Sequence, residues 1–245
     1  MMDGPIHIQR NGSVTIYEDL IQGSDEWFAA RLGILTASEM NKIITAKTLK
    51  IASNDKERQH VYEIAAQRIS QYVEPTYVCE AMMRGHADEM DACLLYAKEI
   101  APVSNVGFIT NDRWGFTLGY SPDALVGDDG LIECKSRIQK YQVQTMVEHV
   151  VDDECESIPP DFMLQCQTGL LVSERKWLDF ISYSGGLPMI VIRVFPIPEI
   201  QEKIIEAATE FEARVQTVVN KFHSASSTGA RLFPTERKIY EEMTL

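Results

Sequence analysis

No apolar run in this 245-residue chain approaches membrane-spanning length. The longest, Ala92 to Ala97, has six residues, where a spanning helix needs roughly 20. The first residues include Asp3 and no apolar stretch of signal-peptide length, so a cytoplasmic location without membrane contact is expected. Basic residues are also in deficit. Against 36 Asp and Glu stand 23 Lys and Arg, a formal charge of −13, so nonspecific attraction to phosphate or anionic lipid is not the default. The five cysteines (Cys79, Cys93, Cys134, Cys155, Cys166) form no CxxC pair and the five histidines are scattered. That excludes the usual zinc and iron–sulfur ligand spacings and fits reduced structural thiols. With 14 Gly and 10 Pro, 45% hydrophobic and 24% charged residues, the chain is neither collagen-like nor low-complexity, and it can bury a sizeable core.

What is present reads as one compact domain with short appendages. Residues 1–17 are expected to be an N-terminal appendage, 18–223 the domain, and 224–245 a linker (Ser224–Ala230) followed by a tail. Ser24 is placed to cap a short helix that ends at Gly33, and Thr36-x-x-Glu39 has the capping-box pattern for another. Apolar residues at threes and fours predict helices over Lys56–Tyr72 and Ala87–Ile100. The period then changes. Short strands are expected near Gly107–Ile109, Gly115–Tyr120 and Leu131–Lys135, the last preceded by a hairpin signal at Asp128–Gly130. Six acids lie between Glu148 and Asp161; Pro159-Pro160 then opens a helix to about Val172. Strands near Trp177–Tyr183 and Pro188–Phe195 precede a long amphipathic helix from about Ile200 to Phe222. This order predicts an α/β (α+β) fold with a central mixed sheet flanked by helices.

Chemistry concentrates in Ser121-Pro-Asp123 and, past the turn, Glu133-Cys-Lys135. Side chains alternate along a strand, so Glu133 and Lys135 emerge on one face about 7 Å apart, while Ile132 and Cys134 point the other way. The hairpin folds them back toward Asp123. Two carboxylates with a neighbouring carbonyl make an oxygen-rich site suited to Mg²⁺. Such an ion can acidify a bound water and neutralise charge growing on a phosphoryl group, with a lysine beside it to orient that water. Taken alone, the same residues fit a solvated cross-strand ion pair better than a catalytic site.

A second cluster is Arg31 with Thr36-Ala-Ser38. Free N–H groups at a helix start, a hydroxyl and a bidentate guanidinium would together hold an anion; a plain cap beside a surface arginine is the alternative.

The two clusters fall within four ordered motifs: Trp27-x-x-x-Arg31-x-Gly33-x-x-Thr36-Ala37-Ser38, Arg84-Gly85-His86-x-x-Glu89, the Ser121–Lys135 hairpin, and Gln165-x-Gln167. Together they resemble the PD-(D/E)xK nuclease superfamily with its restriction-endonuclease-like core, specifically its phage lambda-type exonuclease branch, the YqaJ-like viral recombinase family. The resemblance implies that Asp123, Glu133 and the Cys134 carbonyl bind the metal. It implies that Lys135 positions the attacking water, that Glu89 completes the carboxylate set, and that Gln167 faces the metal centre. Arg31, Thr36 and Ser38 would hold the 5′-terminal phosphate of DNA. The family often has Gly where this chain has Ala124, and Cys-Pro where it has Ser136-Arg137, so Arg137 is expected to add a phosphate contact. A further carboxylate that the resemblance implies falls nearest Asp112, at a spacing one residue longer.

The resemblance further implies an Mg²⁺-dependent exonuclease, with Mn²⁺ able to substitute and one or two ions per site. It would degrade the 5′-ended strand of linear double-stranded DNA, leaving 3′ overhangs. A homotrimeric ring around the duplex and a single-strand annealing protein as partner are also implied. An endonuclease or repair nuclease of the same fold, or a non-catalytic DNA-end-binding scaffold, remain as alternatives. The net charge objects to DNA binding, but its distribution softens the objection. Arg31 to Arg58 holds six bases against three acids, whereas Glu148–Asp161 holds six acids and no Lys or Arg.

Overall fold

The computed structural model describes residues 7–74, 80–150, 157–228 and 231–237. Among the described residues, nine strands form two mixed sheets. One has the order β1 (Ile8–Asn11), β2 (Val14–Tyr17), β4 (Phe108–Asn111), β5 (Leu118–Tyr120) and β3 (Leu35–Thr36). The other runs β6 (Ala124–Val126), β7 (Gly130–Ser136), β8 (Trp177–Tyr183), β9 (Ile190–Val194). The β3–β5 and β7–β8 pairs are parallel and the rest antiparallel. Only Ser121, Pro122 and Asp123 separate β5 from β6, so this short crossing joins the sheets.

Seven α-helices among the described residues flank the sheets: α1 (Asp25–Arg31), α2 (Met40–Ile43), α3 (Asp55–Ser70), α4 (Glu80–Glu99), α5 (Gln139–His149), α6 (Pro160–Ser173) and α7 (Pro198–Ser226). Helix α6 is buried on almost every side, with Leu164, Cys166, Leu170 and Val172 in the larger core. The apolar stripe of α7, from Ile204 through Ala208 and Phe211 to Val215, packs on the same core. Ala92 and Tyr96 of α4 cover the opposite face of β7, where Ile132 and Cys134 point. The alternation expected along β7 is thus realised: Ile132 and Cys134 enter one core, and Glu133 and Lys135 are left for the other side.

Several expectations are revised. Residues 8–17 are not a loose appendage, since the β1–β2 hairpin pairs with β4 and extends the sheet. The sheet expected to be single is divided in two. Thr36-x-x-Glu39 forms no capping box. Thr36 ends β3 and its hydroxyl caps nothing, because Ala37–Glu39 is a 3-10 turn and Glu39 pairs with Lys42. Helix α7 runs on to Ser226, through residues expected to be linker. The tail's described part, 231–237, brings Arg237 over the Tyr72 ring at 3.5 Å. Four of the six acids of the acidic stretch fall in 151–156, outside the described residues, as do Cys79 and Cys155. Cys93, Cys134 and Cys166 are free thiols. Among the described residues no helix is long and apolar enough to cross a membrane.

Candidate active site

The inter-sheet crossing builds the site. Asp123 enters β6 with its N–H on the Ile132 carbonyl at 3.1 Å, and its Oδ2 accepts the Cys134 N–H at 2.5 Å. Glu133, 2% exposed, is held from three directions. Lys135 Nζ and Gln165 Nε2 donate to its Oε1 at 2.7 and 2.5 Å, and the Tyr120 hydroxyl donates to its Oε2 at 2.9 Å. Tyr120 reaches this position because α6 has no side chain at Gly169; a Cβ there would stand 2.7 Å from the Tyr120 ring.

Glu89, on α4, faces the same cleft, with His86 Nδ1 3.5 Å from its Oε2. Burial, and the charges of Glu133 and Glu89, raise the Asp123 carboxyl well above the ordinary range. Glu89 is also raised, by burial first and then by Glu133, against the pull of His86 and Lys135. Burial would lower Lys135, but the Glu133 and Asp123 charges outweigh it and raise the ammonium above its ordinary value. Lys135 is therefore a fixed cation and hydrogen-bond donor at neutral pH.

Arg31, Thr36 and Ser38 open onto this cleft, which encloses about 190 Å³. The Arg31 guanidinium lies 4.1 Å from the Trp27 ring. Its Nη1 donates to Ser121 Oγ at 3.2 Å and its Nη2 to Thr36 Oγ1 at 3.3 Å, with Ser38 Oγ 3.3 Å beyond. Burial lowers its pKa to about 10, against the opposing charge of Glu39. The cluster thus offers a guanidinium and hydroxyls rather than a helix terminus, since the turn at Ala37–Glu39 is too short for an appreciable dipole. Of the six bases between Arg31 and Arg58, Arg31 alone lines the cleft; Lys42 pairs with Glu39. A shallower depression on α3, lined by Asp55, Arg58, Gln59 and Tyr62, gathers no comparable set of groups.

Three expected residues lie elsewhere. Gln167 is fully buried and faces away: its Nε2 donates to the Phe195 carbonyl and its Oε1 accepts the Ile197 N–H, both at 2.8 Å. Gln165 takes the place expected of it, because residues two apart on a helix point about 200° apart and only one can face β7. Asp112 is at the far end of β4, paired with Arg10 at 2.9 Å on the surface. Arg137 comes just after β7 and stands outside the cleft, near the rings of Tyr141 and Phe162. Tyr120, which the motifs did not single out, carries no sequence signal of its role. Gln165, Trp27, Ser121 and His86 lay inside the quoted motifs without an assigned task.

Asp123, Glu133 and Glu89 offer only carboxylate oxygens, and their mutual repulsion in a buried cleft favours a cation, so the donor set fits a hard divalent ion. Among the described residues, no three His, Cys, Asp or Glu side chains are drawn together into a preformed metal cage. Lys135 and the donors on Glu133 instead offset the charge.

The chain matches the YqaJ-like viral recombinase domain over residues 26–176. Among solved structures, an alkaline exonuclease from Laribacter hongkongensis superposes with a TM-score of 0.66 at 28% identity, covering 82% of this chain and 100% of that one. The same enzyme in complex with dAMP gives 0.67 at 29% identity, with the same coverage. A phage related exonuclease from Haemophilus somnus 129PT, 12% identical over 77% of this chain and 96% of its own, shares the fold with a TM-score of 0.57. No curated protein sequence is significantly similar. The mixed sheets flanked by helices are a restriction-endonuclease-like core, as the sequence resemblance implied.

Proposed function

Because this chain belongs to the YqaJ-like viral recombinase family, we propose that it is a DNA exonuclease. It removes nucleotides from the 5′-ended strand of linear duplex DNA, uses Mg²⁺, and leaves 3′ overhangs for recombination by strand annealing. One observation carries the reading: a cluster suited to a terminal phosphate (Arg31, Thr36, Ser38) and one suited to phosphodiester hydrolysis (Glu89, Asp123, Glu133, Lys135) share a single cleft. The related alkaline exonuclease binds dAMP, a mononucleotide of the kind that stepwise hydrolysis from a strand end releases.

In this reading Asp123, Glu133, the Cys134 carbonyl and Glu89 hold the metal. That ion, when bound, supplies an acidified water and neutralises charge on the scissile phosphate. Arg31 binds the 5′-phosphate through its N–H fork and so places the first phosphodiester over Glu133 and Lys135. Lys135 keeps its proton, orients the incoming water from Nζ, and stabilises the oxyanion as charge grows. Gln165 and Tyr120 fix the Glu133 carboxylate against rotation. A homotrimeric ring, an annealing-protein partner and action in the host cytoplasm extend the same reading on the strength of the family resemblance.

The test is digestion of end-labelled linear duplex with and without Mg²⁺, comparing 5′-phosphate with 5′-hydroxyl termini and with a closed circle. Faster Mg²⁺-dependent release from 5′-phosphorylated ends, with the circle intact, is expected. Cutting of the circle, or release from 3′ ends only, would overturn the proposal.

A further inference from the structure

Beyond the cleft, the first residue past the end of β7, Arg137, continues the Glu133–Lys135 series. The Arg137 N–H donates to the Tyr183 carbonyl at 2.7 Å, so the β7–β8 ladder continues through it. Its side chain therefore follows that of Lys135 by about 7 Å on the same face. The guanidinium lies near two rings, 4.9 Å from Phe162 and 5.0 Å from Tyr141. Phe162 also flanks Lys135, whose Nζ is 5.8 Å from its ring.

Both rings are held firmly. Phe162 stacks at 5.4 Å on Phe180, which is fully buried and is the register partner of Glu133. Tyr141 sits on α5, and its neighbour Gln142 binds that helix to the Ser182 and Pro188 carbonyls at 3.0 and 2.8 Å. Lys140 adds a second cation 4.6 Å from the Tyr141 ring, which is 42% exposed.

The guanidinium, like any other, donates hydrogen bonds only from its edge. Its Nε–H is buried and finds no acceptor among the described residues, and Asp161 acts on it only through its field. A stacked guanidinium presenting a planar N–H fork suits a phosphate, and cations interleaved with aromatic faces suit a nucleic-acid strand. The order is also informative. Arg31 stands in the cleft, Lys135 lines it, and Arg137 lies on the outer side of Lys135, across the Phe162 ring.

We infer that Arg137, supported by Phe162 and Tyr141, is the subsite for the phosphodiester next to the scissile one, on the strand that stays bound after each cut. The inference rests on the exonuclease reading for which linkage is cut, but the binding it describes is measurable without cleavage.

The experiment uses 5′-phosphorylated duplexes bearing one neutral methylphosphonate at the first, second, third or fourth linkage. End binding is followed by fluorescence anisotropy with chelator present, and nucleotide release is followed in Mg²⁺, for the unaltered protein, Arg137→Gln and Arg137→Lys. Neutralising the second linkage is expected to weaken binding by the unaltered protein roughly tenfold. Arg137→Gln should show that loss already on normal DNA and no further loss at the second linkage, with a salt-dependence slope shallower by about 0.9. Arg137→Lys should recover part of the coupling.

If the unaltered protein is insensitive to the second linkage, or the two changes multiply there as at the fourth, the subsite is wrong whatever the fate of the variant. Linkage-specific coupling in binding without any nucleotide release would uphold the subsite and overturn the exonuclease reading instead. Release without coupling would overturn the subsite alone.

Discussion

Gln165 Nε2 and Glu133 Oε1 meet at 2.5 Å, while Gln167, two residues further along and on the opposite side of the same helix, joins the Phe195 carbonyl and the Ile197 N–H instead. Two glutamines of one motif therefore do different work, and they should separate on mutation. Gln165→Ala is expected to lower nucleotide release roughly ten- to a hundredfold with little change in thermal stability, since one hydrogen bond to a charged group is lost at a cleft. Gln167→Ala leaves buried backbone groups unpaired and should cost about 1–3 kcal/mol of stability while activity per folded molecule persists. Denaturant titration beside a release assay decides; the reverse pattern would restore Gln167 to the metal centre.

Lys135→Ala should lower cleavage by a factor on the order of 10³ while end binding persists. The same change removes a hydrogen bond from Glu133 and the cation that offsets Asp123. Tighter divalent-ion binding by the folded variant, measured by calorimetry, is therefore expected alongside the lost turnover. A folded Lys135→Ala protein with full activity would remove the lysine from the mechanism.

Stability of the metal-free protein should fall as pH rises through the titration of Asp123. Burial and the neighbouring carboxylates raise this carboxyl, so the folded state keeps a proton at pH values where the unfolded chain, titrating near 4, has released it. The native state then binds more protons than the unfolded state, and the slope of stability against pH is negative across that window. Melting curves in chelator should show the decline, and Asp123→Asn, which can still accept the Cys134 N–H, should flatten it. Added Mg²⁺ should also oppose it. A flat profile in chelator would contradict the electrostatic account.

Gly33 is gripped at both ends. Its N–H donates to Gln67 Oε1 at 2.9 Å, and its carbonyl accepts from Arg68 Nε at 2.8 Å. Arg68 in turn forms a bidentate pair with Glu212 of α7, at 2.7 and 2.8 Å. Gly33 has φ +69°, and a Cβ would lie 2.7 Å from Arg68 Cγ, so any other residue both strains the backbone and displaces the clamp. Because Gly33 lies between Arg31 and Thr36, Glu212→Ala should weaken the preference for 5′-phosphate ends as well as costing roughly 1–3 kcal/mol. Melting and the ratio of release from the two kinds of end are the readouts. A stability loss with an unchanged ratio would leave the clamp a purely structural feature.

Where local pattern decides, the sequence was legible: β8 spans Trp177–Tyr183 as expected, α6 starts at Pro160, and the alternation through Ile132, Glu133, Cys134 and Lys135 holds. The clustering of Arg31, Thr36, Ser38, Glu89, Asp123, Glu133 and Lys135 was legible only through motif order, because residues so far apart are brought together by two sheets that no local period describes. The β1–β2 hairpin was not legible, since its strands are short and largely exposed and owe their place to pairing with β4. Tyr120 was hidden for another reason: its role depends on the missing side chain at Gly169, a long-range steric fit. Thr36-x-x-Glu39 misled because the same residues cap a helix or end a strand, and pairing of β3 with β5 decides between them.

The three-residue crossing from β5 to β6 has a mechanical consequence. In the proposed reading, one sheet carries the grip on the strand end and the other carries the blade, and Ser121–Asp123 is a tether between them no longer than about 10 Å. Such a tether works as a gauge: it sets how much strand fits between grip and blade, and therefore how large a piece leaves at each stroke. Lengthening it by an inserted glycine would be a direct way to ask whether bite size is written into the backbone.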